Sequence, residues 1–144
     1  MESIDENKIL VRRYYEEVVN TGDVKRVPEF ISPDYVEVHE NERFPLGIDG
    51  AKDHITGVRR VYSGLQLTIE KQIAEGEWVV SVVTARGTHT GEWIGIKPTG
   101  KAVLFTSVNI DRVAGGLIVE HGGAANLLFP LLEIGAVRIV GPEK

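Results

Sequence analysis

Apolar residues near the start of the chain recur at steps of three and four residues. The set consists of Leu10, Val11, Tyr14, Tyr15 and Val18. Because this spacing places them on one face of a helix, it predicts a helix over residues 3–22. Ser3 and Glu6 have the spacing of a capping box at its start, and Gly22 is placed to end it.

Two shorter helical stretches and one strand follow. A second helix is predicted over "VKRVPEFI", with Asp23 as its cap, and a third over "DGAKDHITGVRRVY". The stretch between them, "SPDYVEVHE", alternates in the manner of a strand. This alternation puts Tyr35, Glu37 and His39 on one side of that strand.

From residue 64 the period of the pattern changes from helical to two. Strands are predicted over "LQLTIEKQIAEG", "EWVVSVVTARGTH", "KAVLFTSVNIDRV" and "LIVEHG", which are joined by glycine-bearing turns. Short connections of this kind favour antiparallel neighbours. A last helix is predicted near "NLLFPLLEIG", ending at Gly135, with Pro130 in its first turn or at a kink. The sequence therefore predicts one α+β domain over residues 1–144, with helices first and a meandering sheet afterwards.

Composition and charge narrow the classes of function. The 144 residues include 16 basic and 21 acidic side chains with neither sign gathered into a block, so we expect no nucleic-acid partner. The absence of cysteine excludes disulfides, thiolate nucleophiles and cysteine-bound metals. The first ten residues are too charged for a signal peptide, and no apolar run approaches the length that spans a bilayer. We therefore expect a cytoplasmic protein without a membrane partner.

Three motif-based functions do not fit the sequence. "GIKPTGKA" has the spacing of a phosphate-binding loop, but Ala102 stands where Ser or Thr would hold magnesium, and a strand follows instead of a helix. The four histidines show no metal-ligand spacing, so no metal is expected. No G-x-S-x-G elbow is present to support a serine nucleophile.

A polar set on two of the predicted strands is the remaining candidate for chemistry. Strand parity puts Ser107, Asn109 and Asp111 on one face, and it groups His121 with Gly123 on the next strand. If helices cover that face, these side chains project into the space between sheet and helices. They could equally be core polar groups that hydrogen-bond to one another or to the backbone.

Four stretches of the chain together resemble a known family. They are "VRRYYEEVVNTGDV", "FISPDYVEVH", "GTHTGEWIGIKPTGK" and "RVAGGLIVEHGGAANLLFPLLEIGA". The resemblance is to the SnoaL-like polyketide cyclases, in the nuclear transport factor 2-like superfamily, and it runs from about residue 8 to 136. It implies a cone in which a strongly curved, mostly antiparallel sheet wraps around helices, with a deep apolar pocket and a homodimeric or larger assembly.

The resemblance also implies a reaction and the positions that carry it. Cyclases of this family close a ring by intramolecular aldol condensation without metal or cofactor. Their catalytic acid lies two residues after the histidine of the "EH" pair, which is Gly123 in this chain. Their pocket histidine on the preceding strand falls at Asn109, and a frequent aspartate falls at Asn126. All three positions are uncharged here.

The sequence thus predicts a small-molecule pocket protein, with a cofactor-independent cyclase or isomerase acting on an apolar, oxygenated substrate as the leading function. The predicted catalytic residues are His121 and His39, since an imidazole titrates near neutral pH. The predicted ligand-binding residues are Asn109, Ser107, Tyr15, Trp93 and Asn126. A non-catalytic binding or accessory protein is the second possibility. The third is an epoxide hydrolase, for which Asp111 and Arg86 are the candidates.

The opposite strand faces carry apolar residues that no helix is left to cover. They are Val80, Val82, Leu104, Thr106, Val108 and Ile110. Because a broad apolar surface of this kind marks an interaction site, we expect a homodimer with these residues at or near its interface.

Overall fold

A curved, open sheet of six strands with helices packed on one face makes up the computed structural model, which describes residues 3–142. In chain order the elements are α1 (Ile4–Tyr14), a π-helical turn (Tyr15–Val19), a 3₁₀ turn (Val24–Glu29), β1 (Ile31–His39), β2 (Glu42–Pro45), α2 (Gly47–Val61), β3 (Tyr62–Glu75), β4 (Trp78–His89), β5 (Ala102–Ala114), β6 (Leu117–Asn126) and α3 (Leu128–Glu133). The predicted α+β fold, with N-terminal helices and a curved sheet, is confirmed.

The strands lie in the order β2-β1-β6-β5-β4-β3. The four strands β3 to β6 pair antiparallel in series, as their short connections predict. The early strand β1 pairs parallel with β6. On its other side β1 pairs antiparallel with β2. The parallel pair brings the early strand that carries Glu37 beside the late strand that carries His121.

The first helix begins as its sequence predicts. The Ser3 side chain accepts from the backbone N–H of Glu6 at 3.0 Å, and the Glu6 carboxylate accepts from the backbone N–H of Ser3 at 3.2 Å. Its last part widens into the π-helical turn, which starts at Tyr15. Such turns are rare and are often found at functional sites. Here the turn places the buried side chain of Tyr15 against Asp111 of the sheet.

Several elements differ from the sequence prediction. The predicted second helix forms only the 3₁₀ turn Val24–Glu29, and Ile31 already belongs to β1. The short strand β2 was not predicted, because four exposed residues carry no alternating burial signal. Strand β6 continues to Asn126, beyond the predicted end, through residues with weak strand propensity. Pairing with β5 holds this extension in place. As a result α3 begins at Leu128, with Pro130 in its first turn as predicted.

The helices cover one face of the sheet, which we call the inner face. The core between them consists of two clusters of buried residues. The larger cluster lies under α1, α2 and the turns and contains Val11, Tyr14, Tyr15, Val18, Val27, Phe30, Ile31, Tyr35, Ala51, Ile55, Val79, Val83, Val113 and Ile118. The smaller cluster lies towards α3 and contains Tyr62, Leu65, Ala85, Trp93, Val103 and Ile134. The polar residues Ser107, Asn109 and Asp111 of β5 and His121 of β6 lie on the inner face beside the larger cluster.

The opposite, outer face of the sheet keeps apolar side chains in contact with solvent. Leu104, Val108 and Ile110 are 53%, 43% and 39% exposed. They alternate along β5 with the residues of the inner face, which is the pattern that the period of two predicts. The homodimer expected from this surface stays a prediction.

Candidate active site

Three ionisable side chains lie in one row across three neighbouring strands. His121 of β6 is paired in register with Asp111 of the antiparallel strand β5 on one side. On its other side it is paired with Glu37 of the parallel strand β1. Since residues in register on adjacent strands project from the same face, the imidazole stands between two carboxylates.

Asp111 is the buried member of this row, with 1% of its surface exposed. His121 donates from Nδ1 to Oδ1 of Asp111 at 2.6 Å, and the Tyr15 hydroxyl donates to Oδ2 at 2.5 Å. Both carboxylate oxygens are therefore engaged. This arrangement fixes the imidazole ring and leaves its Nε2 as the nitrogen that can meet a ligand.

Glu37 is the more accessible of the two carboxylates, with 19% of its side chain exposed against 1% for Asp111. Its Oε2 accepts a hydrogen bond of 2.6 Å from the hydroxyl of Tyr35, two residues earlier on the same strand. Its Oε1 lies 3.8 Å from Nε2 of His121, which is an ion-pair distance too long for a hydrogen bond. A reacting group can therefore approach both atoms.

The two carboxylates determine the charge of the histidine. Burial of the ring lowers the pKa of His121, but the charge and hydrogen bond of Asp111 and the charge of Glu37 outweigh it and raise the pKa from 6.5 to about 9. His121 is accordingly an imidazolium at neutral pH. Burial, followed by the charge of Asp111, raises the pKa of Tyr15 well above its ordinary value, so that Tyr15 remains a hydrogen-bond donor.

A cavity of about 560 Å³ opens in front of this row. It lies where β1 and β6 separate, because the last register partners of these two strands are Glu37 and His121. Its lining residues are Glu37, Val38, His39, Glu40, Ser107, Asn109, His121, Gly122, Gly123, Ala124, Ala125 and Leu127. The volume suits a small molecule of several rings.

Residues 9–133 match the family model described as SnoaL-like polyketide cyclase. The chain belongs to the SnoaL-like polyketide cyclase family.

Two curated members of the family and one solved structure show how far the similarity extends. Nogalonic acid methyl ester cyclase of Streptomyces nogalater is 30% identical over 118 residues, which cover 81% of this chain and 88% of that protein. Aklanonic acid methyl ester cyclase DnrD of Streptomyces peucetius is 29% identical over 129 residues, covering 88% of each chain. The crystal structure of AclR, a hydroxylase candidate from Streptomyces galilaeus, superposes with a TM-score of 0.82 at 27% identity, over 96% of this chain and 87% of that one.

This family member has a backbone constraint at the position expected for the cyclase acid. Gly123 pairs with Asn109 on the inner face, beside the cavity, but its φ is +135°. A Cβ built there would overlap the backbone oxygen of Val108 and press on the Cα of Asn109. The strand can therefore adopt this path only with glycine. The carboxylates of this site come instead from Asp111 and Glu37.

Several predicted site residues line the same cavity. His121, Asn109 and Ser107 lie along β6 and β5, and His39 lies at the exposed end of β1. Tyr15 contacts the site from the buried core, through its hydrogen bond to Asp111. The roles assigned to these residues stay predictions, but the structure brings them together.

Two other predicted ligand residues lie elsewhere. Trp93 is buried in the smaller core cluster, with its ring edge-on to those of Tyr62 and His89 at 5.3 and 5.7 Å. Asn126 is paired in register with Thr106 of the outer face. Neither residue lies along the cavity in front of His121.

The pair expected for an epoxide hydrolase does not form. Arg86 is exposed and paired with Leu104 on the outer face, whereas Asp111 is paired with Val79 on the inner face. Because the two side chains project from opposite faces of the sheet, they cannot act on one substrate.

The sequence reasoning missed the partners of His121. Asp111 and Glu37 were each placed on a strand face, but nothing local indicated that both flank one histidine. The alternation does put Tyr35 on the same side of β1 as Glu37, but it does not predict the hydrogen bond between them. Within residues 3–142 no group of three or more His, Asp or Glu side chains is arranged to hold a metal ion, and no helix there is long and apolar enough to cross a membrane.

Proposed function

We propose that this protein is a cofactor-independent enzyme that closes a ring or isomerises a double bond in a neutral, apolar, oxygenated small molecule, with His121 as the acid. The observation that carries the proposal is the imidazole of His121, which Asp111 holds in place at the cavity. Its Nδ1 is held by Asp111, while its Nε2 lies beside the open space in front of Glu37.

An imidazolium so placed can serve an aldol reaction in two ways. It can donate a hydrogen bond to a carbonyl oxygen and so stabilise the enolate that forms when a neighbouring carbon loses a proton. It can also give a proton to the alkoxide that forms when the enolate attacks a second carbonyl carbon. The cavity contributes by holding both carbonyl groups in reach of each other.

The charges of the row support a neutral substrate. The row holds two acidic side chains and one basic side chain. A substrate with a free carboxylate would meet like charge at Glu37, whereas an ester would not. The names of two relatives, both methyl ester cyclases, agree with this preference.

One observation favours a second function, a non-catalytic binding or accessory protein. The position expected for the family's acid is Gly123, and the backbone there excludes a side chain. The same cavity could then bind an oxygenated ligand through His121 and Asn109 without turnover.

A cyclisation assay separates these functions. The substrate is an aromatic polyketide methyl ester with an uncyclised β-keto side chain, and ring closure is followed by absorbance and mass spectrometry. We expect turnover by the wild type and a loss of about 10²–10⁴-fold in His121→Gln, as for removal of one positioned acid. His54→Gln, on the exposed side of α2, is the matched control. His39→Gln tests the second predicted histidine in the same assay.

Binding measured in parallel decides the alternative. Saturable binding of the ester, without turnover in the wild type, would replace the enzyme proposal with the accessory function. Turnover that survives both histidine changes would show that another group supplies the proton.

A further inference from the structure

We infer that Glu37 is the general base of this site and accepts the proton from carbon, while His121 holds the oxygen of the resulting enolate. The inference rests on the proposed function and extends it, because it names the group that starts the reaction. It also assigns a catalytic role to a residue of β1, whereas the position expected for the family's acid is on β6.

The first argument is access. Asp111 has 1% of its surface exposed, and both of its oxygens already accept hydrogen bonds, so it cannot reach a substrate. Glu37 lines the cavity and uses only Oε2 in its bond with Tyr35. Its Oε1 remains able to take a proton from a bound molecule.

The second argument is the spacing of the two reactive atoms. Oε1 of Glu37 and Nε2 of His121 lie 3.8 Å apart at the edge of one cavity. The α-carbon and the oxygen of a ketone are separated by two bonds, so one ketone can present its C–H to Oε1 and its oxygen to Nε2. The two groups thus match the two ends of an enolate.

The third argument is that Glu37 is held in place. The Tyr35 hydroxyl lies 2.6 Å from Oε2, and burial followed by the charge of Glu37 raises the pKa of Tyr35, so Tyr35 stays protonated and keeps donating. The parallel pairing of β1 with β6 fixes the backbone of Glu37 against that of His121. A carboxylate positioned in this way can accept a proton from the carbon next to a carbonyl while His121 stabilises the enolate oxygen.

The step balances without a co-reactant. The α C–H bond breaks, its proton binds Oε1 of Glu37, and its electron pair moves to the carbonyl oxygen opposite His121. When the enolate carbon bonds to a second carbonyl carbon, the new alkoxide takes a proton from Nε2 of His121. Glu37 then loses its proton to solvent and His121 takes one from solvent, so that both groups return to their starting states. The net change is an isomerisation of the substrate.

The test uses proton exchange, which does not require ring closure. The full-length protein is incubated in D₂O with 2-tetralone, a neutral bicyclic ketone, and deuterium entry at the α-carbon is followed by NMR. We expect the wild type to catalyse exchange and Glu37→Gln to lose about 10²–10⁴-fold in rate. Glu37→Asp, which keeps a retracted carboxylate, should lose less. Glu70→Gln, the same change on an exposed part of β3, is the control.

The outcomes separate this inference from the proposed function. Exchange that depends on Glu37, without cyclisation of the ester, supports the base and overturns the cyclase. Exchange or cyclisation that is unchanged in a folded Glu37→Gln variant overturns the base. A wild type that catalyses neither reaction overturns both.

Discussion

Asp111 and His121 face each other across the β5–β6 ladder, with Oδ1 and Nδ1 2.6 Å apart. The pair joins a fully buried carboxylate to an imidazole that reaches the cavity. Asp111 also accepts a hydrogen bond from Tyr15, so the position of His121 depends on a residue of the core.

Asp111→Asn should lower the pKa of His121 from about 9. Burial of the ring remains in the variant, while the largest influence that raises the pKa is removed. An NMR titration of the histidine Cε1–H signals measures the change, with Asp53→Asn on the exposed side of α2 as the control. An unchanged His121 titration in Asp111→Asn would mean that the pair does not govern its charge.

The stability of the fold should fall as the pH rises through the range in which His121 loses its proton. A folded-state pKa of about 9 against an ordinary value of 6.5 means that the folded protein holds this proton more tightly. The contribution is complete below pH 6.5 and is lost by about pH 9. Urea unfolding at several pH values measures it. The decline should be smaller in His121→Gln, and equal slopes in both proteins would refute the linkage.

Tyr15→Phe should destabilise the protein by about 1–3 kcal/mol, because Oδ2 of the buried Asp111 would lose its hydrogen-bond donor. Tyr14→Phe, at the neighbouring residue that ends α1, is a matched control. Its hydroxyl makes no side-chain hydrogen bond within the described part of the chain. Chemical denaturation compares the two variants, and an equal cost in both would show that the Tyr15 hydrogen bond contributes nothing specific.

Gly123→Asp should fail to restore the family's acid and should instead destabilise the fold by about 3 kcal/mol or more. The left-handed φ of +135° and the overlap of a Cβ with the oxygen of Val108 both oppose a side chain. Gly76→Ala separates the two causes, because Gly76 has a φ of +58° but open space around it. That control should lose only about 1–2 kcal/mol. A stable Gly123→Asp variant would show that the strand can take another path.

The outer face should be the interface of a homodimer. Sedimentation at micromolar concentration should give about twice the chain mass of 15.9 kDa for the wild type. Val108→Lys should shift the protein towards the monomer, because a charge would be buried against the partner. Ile9→Lys, an exposed apolar position on α1, should not. A monomeric wild type would remove the basis for this interface.

The sequence by itself determined which residues share a face and which elements they form. The step of three and four residues produced α1, and the period of two placed Glu37 with His39 and Asn109 with Asp111. These are local properties, since each depends only on the spacing of neighbours along the chain. The α+β fold followed from the same local patterns, whereas the family resemblance rested on four particular stretches of the sequence.

Tertiary structure alone decided which of these faces meet and in which register. The pairing of His121 with Asp111 and Glu37 joins residues far apart in sequence, and a slip of one residue would turn either carboxylate to the other face of the sheet. The π-helical turn that carries Tyr15 and the positive φ of Gly123 are likewise not indicated by the local pattern. A site built from such pairs is invisible in the local pattern because register is fixed by the balance of contacts across the whole sheet.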